Sequence, residues 1–213
     1  SLHEALYFET QNRGVTNLDY ERKTTAGYFE LQTKFKSMSF ILGGRAEDYS
    51  ISGKTNTTTL TPFNQFRFFP NASAQYNFNK AVFFNLNYNK KITLPSTSAL
   101  NPNNTTYQNQ NVTTIGNPNL QQGFTNSISF NGNENKVLKN KYMFFDLNYS
   151  NTDNAISNSS TVDALGRRVN QYINVQGNYS YRGYVYYGLD IYKGLQFGVN
   201  INGGFNRYIN RVN

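Results

Sequence analysis

The sequence predicts an all-β fold, an antiparallel transmembrane β-barrel segment of about ten strands. Three observations predict it. Long runs alternate strictly between apolar and polar residues, the polar face is asparagine and serine in place of a lysine and glutamate mixture, and turns are short at one end of the strands and long at the other. With only 15% of the 213 residues charged, such strands suit hydrocarbon on one side and a polar, water-filled lumen on the other.

Strands are expected near 4–10, 24–35, 38–50, 65–79, 81–92, 122–134, 140–152, 168–181, 184–192 and 195–209. The pattern is clearest between Asn71 and Asn89. Ala72, Ala74, Tyr76 and Phe78 share a face against Ser73, Gln75 and Asn77. After an Asn79-Lys80 turn, Val82, Phe84, Leu86 and Tyr88 oppose Asn85, Asn87 and Asn89. Period two is the strand signal, and the two-residue break makes these strands antiparallel neighbours. Met143, Phe145, Leu147 and Tyr149 repeat the pattern against Phe144, Asp146, Asn148 and Ser150. Val169, Ile173, Val175, Tyr179 and Tyr181 read as one face of a single strand, with Arg182-Gly183 as a tight turn before Val185, Tyr187, Leu189 and Ile191. Lys193-Gly194 then turns the chain into Leu195, Phe197, Val199, Ile201 and Phe205. Strands of roughly 9–15 residues match the ~9–11 tilted residues that cross a bilayer. Long outer loops are expected near 50–64, 93–121 and 151–167, all within one partial barrel domain spanning 1–213.

A mean hydropathy of -0.64 looks soluble, but barrels hide from hydropathy scans because half of every strand is polar. No apolar run of ~18 residues is present, so no transmembrane helix is expected. The first ten residues also lack the basic-then-apolar pattern of a leader, which puts the native start of an exported chain elsewhere. The net charge of +8 has three readings: nucleic acid, anionic lipid head groups, or scattered loop charge. No basic run exceeds the pairs Lys90-Lys91 and Arg167-Arg168, while Lys34, Lys36, Lys80, Lys136, Lys139, Lys141 and Lys193 sit near turns. Scattered interfacial charge is favoured and nucleic acid is not expected.

One segment carries a family resemblance. Leu100-Asn101-Pro102, followed by a variable stretch and Gly116-Asn117-Pro118-Asn119-Leu120, resembles the paired "LNP … GNPxL" signature in the barrels of TonB-dependent outer-membrane receptors, especially the Bacteroidetes-type outer-membrane β-barrel family. Tyr88-Asn89-Lys90-Lys91-Ile92-Thr93-Leu94-Pro95-Ser96 stands where that family ends a strand in an arginine-rich, Pro-Ser sequence. Ala26-Gly27-Tyr28-Phe29-Glu30-Leu31, Leu42-Gly43-Gly44-Arg45-Ala46-Glu47, Phe69-Pro70 and Tyr172–Ser180 are similar to further family strands in the expected order. The departures are Lys90 and Lys91 for arginines, Leu94 for the arginine before proline, and Gln121-Gln122 where the family has Pro-Glu.

Pro95, Pro102 and Pro118 fix φ and donate nothing to a ladder, and Gly116 admits backbone angles closed to other residues. The motif therefore reads first as a turn that orders the loop, with direct ligand contact as the alternative. Catalysis is not expected: His3 is the single histidine, at the chain's extremity, leaving no base for a nucleophilic site. No metal or cofactor site is expected either. The acids are dispersed, and Asp153-Asn154 lacks the glycine and closing glutamate of a calcium loop. Arg45 and Glu47 lie two apart on the face opposite Phe40, Leu42 and Ala46. Charges facing hydrocarbon cost about 2–4 kcal/mol near the midplane, so both are expected to face the lumen. There they would form a structural ion pair, contact a plug, or line a substrate route.

By the resemblance, the whole protein would take up a scarce nutrient (glycan, peptide or metal chelate) across the bacterial outer membrane through a barrel of about 22 strands. The plug that precedes such a barrel is not expected within this chain. An open sheet leaves two unsatisfied edges. The expected partners are therefore the remaining strands and plug, or another chain completing the sheet, together with TonB acting through the plug, outer-membrane lipid and lipopolysaccharide, and a surface lipoprotein. Two alternatives remain at this point: a structural or secretion-complex barrel subunit without transport, and a soluble carbohydrate-binding β-sandwich with strands of roughly 5–6 residues.

Overall fold

The computed structural model describes residues 7–8, 18–55, 59–101, 106–109, 112–136, 140–162 and 164–212. Among the described residues there are fourteen strands and one four-residue helical turn, α1, at Thr97–Leu100. Nine strands make one antiparallel sheet in the order β1 (Tyr7–Phe8), β2 (Leu18–Phe35), β3 (Met38–Thr55), β4 (Thr59–Asn79), β5 (Val82–Thr93), β8 (Gly123–Lys136), β9 (Lys141–Asp153), β12 (Asn178–Tyr192) and β13 (Leu195–Arg207). Within this sheet every strand after β1 runs 12 to 21 residues, beyond the short strands of the β-sandwich alternative, which the architecture overturns.

The tight turns lie at one end of this sheet. Lys36-Ser37 turns with Lys36 at φ 51, Lys193-Gly194 with Gly194 at φ 81, and Asn140 precedes β9 at φ 44. The turn expected at Asn79-Lys80 falls one residue later, at Lys80-Ala81, because the Asn79 side chain accepts from the Ala81 amide at 2.7 Å and closes the strand itself.

At the opposite end the long connections are not irregular loops. β6 (Thr106–Asn109), β7 (Val112–Ile115), β10 (Ala155–Val162), β11 (Arg168–Val175) and β14 (Arg211–Val212) form a second sheet in the order β14-β10-β11-β7-β6. The pairs β7/β11 and β10/β14 are parallel. The loop expected at 50–64 is narrower than its reading, since β3 continues to Thr55 and β4 begins at Thr59.

One expected turn does not exist. Arg182 and Gly183 sit mid-strand in β12, paired with Gly204 and Gly203 on one side and with Asn148 and Leu147 on the other. The chain breaks instead at Gly177, φ 90, which separates β11 in the second sheet from β12 in the first. The expected strand 168–181 is thus two strands that share a period but not a sheet.

Apolar side chains are not gathered inside. Leu31, Leu42, Phe78, Ile201 and Phe205 are all more than half exposed on one face, the arrangement expected of a wall meeting hydrocarbon. Among the described residues, the buried apolar cluster is small and lies under the second sheet: Ala99, Leu100 and Leu120, with Ile156 and Tyr172 against it.

Candidate functional site

Pairing register assigns the polar face. Across β4, β5, β8, β9 and β12 the cross-strand bonds on this face include Ser73 to Asn85 at 3.3 Å, Asn87 to Ser129 at 3.3 Å, Thr125 to Thr152 at 3.0 Å and Ser150 to Ser180 at 2.8 Å. This hydroxyl and amide ladder satisfies its own groups without net charge. Toward the tight turns the same face becomes aromatic, with Phe83, Tyr142, Phe144 and Tyr186 each more than a third exposed and the Phe144 and Tyr184 rings 5.7 Å apart.

Charge concentrates toward the loop end, on β3 and β4. Arg45 pairs in register with Phe69 and Tyr28, and Glu47 with Arg67 and Ala26, so all six lie on the face that carries Asn71 and Ser73. Arg45 Nε contacts Glu47 Oε1 in an ion pair. Glu47 is 4% exposed, whereas the Arg45 side chain is 56% exposed. The pair therefore has one foot in the wall and one in solvent. Arg67 donates to Gln65 Oε1, which also accepts from Gln122 Nε2 at 3.2 Å, tying the loop before β8 to the wall. Glu47 Oε2 and Arg67 Nε are buried without a hydrogen-bond partner among the described residues.

The geometry beside this cluster follows from Pro70. β4 pairs with β5 only from Asn71–Asn89 toward the turn, and Pro70 has no amide to continue the ladder. Where the strands part, a cleft of about 450 Å3 opens between Tyr28, Glu30, Arg45, Glu47, Phe69 and Lys91. Phe124 packs against residues beside it, its ring centroid 5.1 Å from the Arg67 guanidinium, 5.3 Å from Lys90 Nζ and 6.4 Å from the Phe69 ring. Arg45, Lys90 and Lys91 thus line the cleft together with two carboxylates, Glu30 and Glu47, and Arg67 stands in register with Glu47 beside it. The arrangement can hold a polar or anionic group noncovalently, against walls that are partly aromatic.

The loop motif forms a separate construction. Leu100 and Leu120, one from each half of the signature, meet in the buried cluster. Gly116 lies so close to Asn101 that a Cβ would run into its carbonyl. The Asn117 amide donates to Ala99 O, its side chain donates to Tyr172 O at 2.8 Å, and its Oδ1 accepts from Asn119 N at 3.0 Å. Pro118 occupies the turn that follows. Pro95 precedes Ser96, whose Oγ caps α1 by accepting from Ala99 N at 3.2 Å. Pro102 lies outside the described residues.

Sequence reasoning did not single out Arg67, Gln65 or Asn174, and named Asn154 only in a rejected calcium loop and Gln122 only as a departure from the family pattern. Asn174 accepts from Gln121 N at 2.8 Å and donates to Gln121 O at 2.8 Å and Asn154 O at 3.0 Å, clasping the two long connections together. Arg67 carried a usable signal, a charge in step with Gln65 and Phe69 on the alternate face; an asparagine in an Asn-rich loop carries none.

The family described as outer membrane protein beta-barrel matches the chain over residues 5–213. No curated protein matches it. Among solved structures, the chain is similar to the siderophore receptor PirA from Pseudomonas aeruginosa, with TM-score 0.55 and 11% identity over 92% of this chain and 45% of that one. It is also similar to the FrpB iron transporter from Neisseria meningitidis, with TM-score 0.56 and 12% identity over 94% of this chain and 27% of that one. The Serratia marcescens hemophore receptor HasR, solved with its hemophore HasA and heme, gives TM-score 0.53 and 12% identity over 88% of this chain and 34% of that one. The chain therefore spans less than half the length of the structures it matches, and identities this low speak for the fold alone.

Proposed function

The chain belongs to the outer membrane protein beta-barrel family and is a protein of the bacterial outer membrane, and on that premise we propose that it forms part of the barrel of a TonB-dependent transporter taking up a scarce nutrient. The observation that carries this reading is the polar face: a ladder made mostly of neutral amides and hydroxyls, with Asp146 and Arg182 among them, leading from a charged, aromatic-walled cleft at the loop end to an aromatic zone near the tight turns. A passage needs such a gradient, because a solute moving along neutral donors and acceptors exchanges water for wall contacts without being trapped by charge. Siderophore, iron and heme-hemophore binding by the structural neighbours supports a metal chelate among the three nutrient classes expected from the sequence.

In this reading Arg45 and Glu47 face the lumen, where they contact a plug or line the route. The exposed aromatic zone of Phe83, Tyr142, Phe144 and Tyr186 gives the same plug an apolar seat. Pro95, Leu100, Asn101, Pro102, Gly116, Asn117, Pro118 and Leu120 shape the outer loops. TonB acts through the plug, and a surface lipoprotein covers the loop end. The barrel itself works noncovalently and performs no catalysis.

Growth tests the reading. A strain lacking the gene is grown on single limiting sources (an iron chelate, a peptide or a glycan), then complemented with wild type or with Glu47→Ala, which removes the ion-pair partner of Arg45. Loss of growth on one source, restored by wild type and only weakly by the variant at equal protein level, supports transport. Undiminished growth on every source in the deletion strain overturns it in favour of a structural or secretion-complex subunit.

A further inference from the structure

The apolar face is not flush near the tight turns. On β8, Gly132 stands in register between Phe84 of β5 and Phe145 of β9, and an added Cβ would strike both rings. The rings are 6.2 Å apart, with Phe130 packed behind them at 6.4 and 5.1 Å. Beneath them a groove of about 430 Å3 runs between Phe78, Val82, Met143 and Phe145 toward the turns. Its lower end is charged. Lys136 and Lys141 are direct cross-strand partners, and Glu134 meets both, Lys136 through Oε1 and Lys141 through Oε2 at 3.0 Å. Lys80 sits in the adjoining turn, which the Asn135 amide joins by donating to Ala81 O at 2.7 Å.

We propose that this groove binds an anionic phospholipid of the leaflet at the tight-turn end, one acyl chain lying under Phe84 and Phe145 and the headgroup phosphate resting on Lys136 and Lys141. The lining faces the side that meets hydrocarbon, so its occupant is a lipid chain and not a water-soluble ligand. The charged end lies within two residues of the strand termini, the depth at which headgroups lie. Like charges directly opposite across a ladder repel. Glu134 offsets one of the two ammonium groups, and both its oxygens are already engaged. With Lys80, a net positive charge is left over, and phosphate is the anion that a membrane surface supplies there. Lys141 Nζ also lies 5.6 Å from the Tyr187 ring, which holds its side chain against the wall.

The test is native mass spectrometry of the full-length protein purified from outer membranes, equilibrated with equal amounts of phosphatidylglycerol and phosphatidylethanolamine of identical chains. Wild type is expected to retain the anionic lipid several-fold over the zwitterionic one. The double variant Lys136→Gln, Lys141→Gln is expected to bring the two to parity, while Met143→Trp, which fills the groove, lowers retention of both. Equal retention of both lipids by wild type overturns the proposal, as does a preference that survives the lysine replacements. Unchanged retention in Met143→Trp also overturns it, by removing the groove as the chain's seat.

Discussion

A methyl group at position 116 has nowhere to go. The backbone of Asn101 occupies the volume that a side chain there would need, and it cannot rotate away as a side chain would. Gly116→Ala therefore pushes apart the two halves of the loop motif, at a cost of about 1–3 kcal/mol, and frees Leu100 and Leu120 from their common cluster. Limited proteolysis of the variant should cut within 93–121 at concentrations that leave wild type whole, while the barrel keeps its heat-modifiable band; equal resistance would show that the contact does not order the loop. The sequence marks Gly116 for backbone freedom, but its φ is not positive, and what the fold asks of it is room beside Asn101. The partners of Asn117, Asn154 and Asn174 were not legible in the sequence, since an amide side chain bonds to whatever the fold brings within reach.

At the scale of the elements, β12 shows how a local pattern misleads. Gly183 follows an arginine and interrupts an apolar face, which reads as a turn. Yet Gly183 is flanked on both sides by paired strands, and Leu147 lies over the space where its side chain would be. A short Gly-Ser insertion between Lys193 and Gly194 should be accepted, since it only lengthens a tight turn. The same insertion between Arg182 and Gly183 would shift every later pair with β9 and β13 and abolish the heat-modifiable, assembled form on gels. Normal assembly of that second variant would contradict the continuous strand. The strands of 69–92 and 140–152, by contrast, were legible nearly to their ends. Their alternation is uninterrupted, and their turns carry residues suited to reversal, such as Asn79 with its side-chain cap and Asn140 with positive φ.

For the molecule as a whole, sidedness is the property that counts. Ile201 and Asn202 are neighbours at the middle of β13, but Ile201 shares a face with Phe197 and Phe205 while Asn202 pairs with Tyr184 on the other. Ile201→Arg should destabilise the membrane-embedded protein by about 2–4 kcal/mol, and Asn202→Arg should change little. Urea unfolding in lipid vesicles measures the difference, and equal effects would remove the assignment of faces. The sequence by itself determined the all-β class, the outer-membrane setting and the two faces of each strand. These follow from a period of two and from composition, which every short stretch of chain carries within itself. Only the tertiary structure decided that the long connections fold into a second sheet, that the chain changes sheets at Gly177, that Arg67 stands beside Glu47 where Pro70 lets two strands part, and that Gly132 leaves a groove between two rings. Each of these depends on which distant residues become neighbours, and pairing register is set by the whole sheet at once rather than by any one strand.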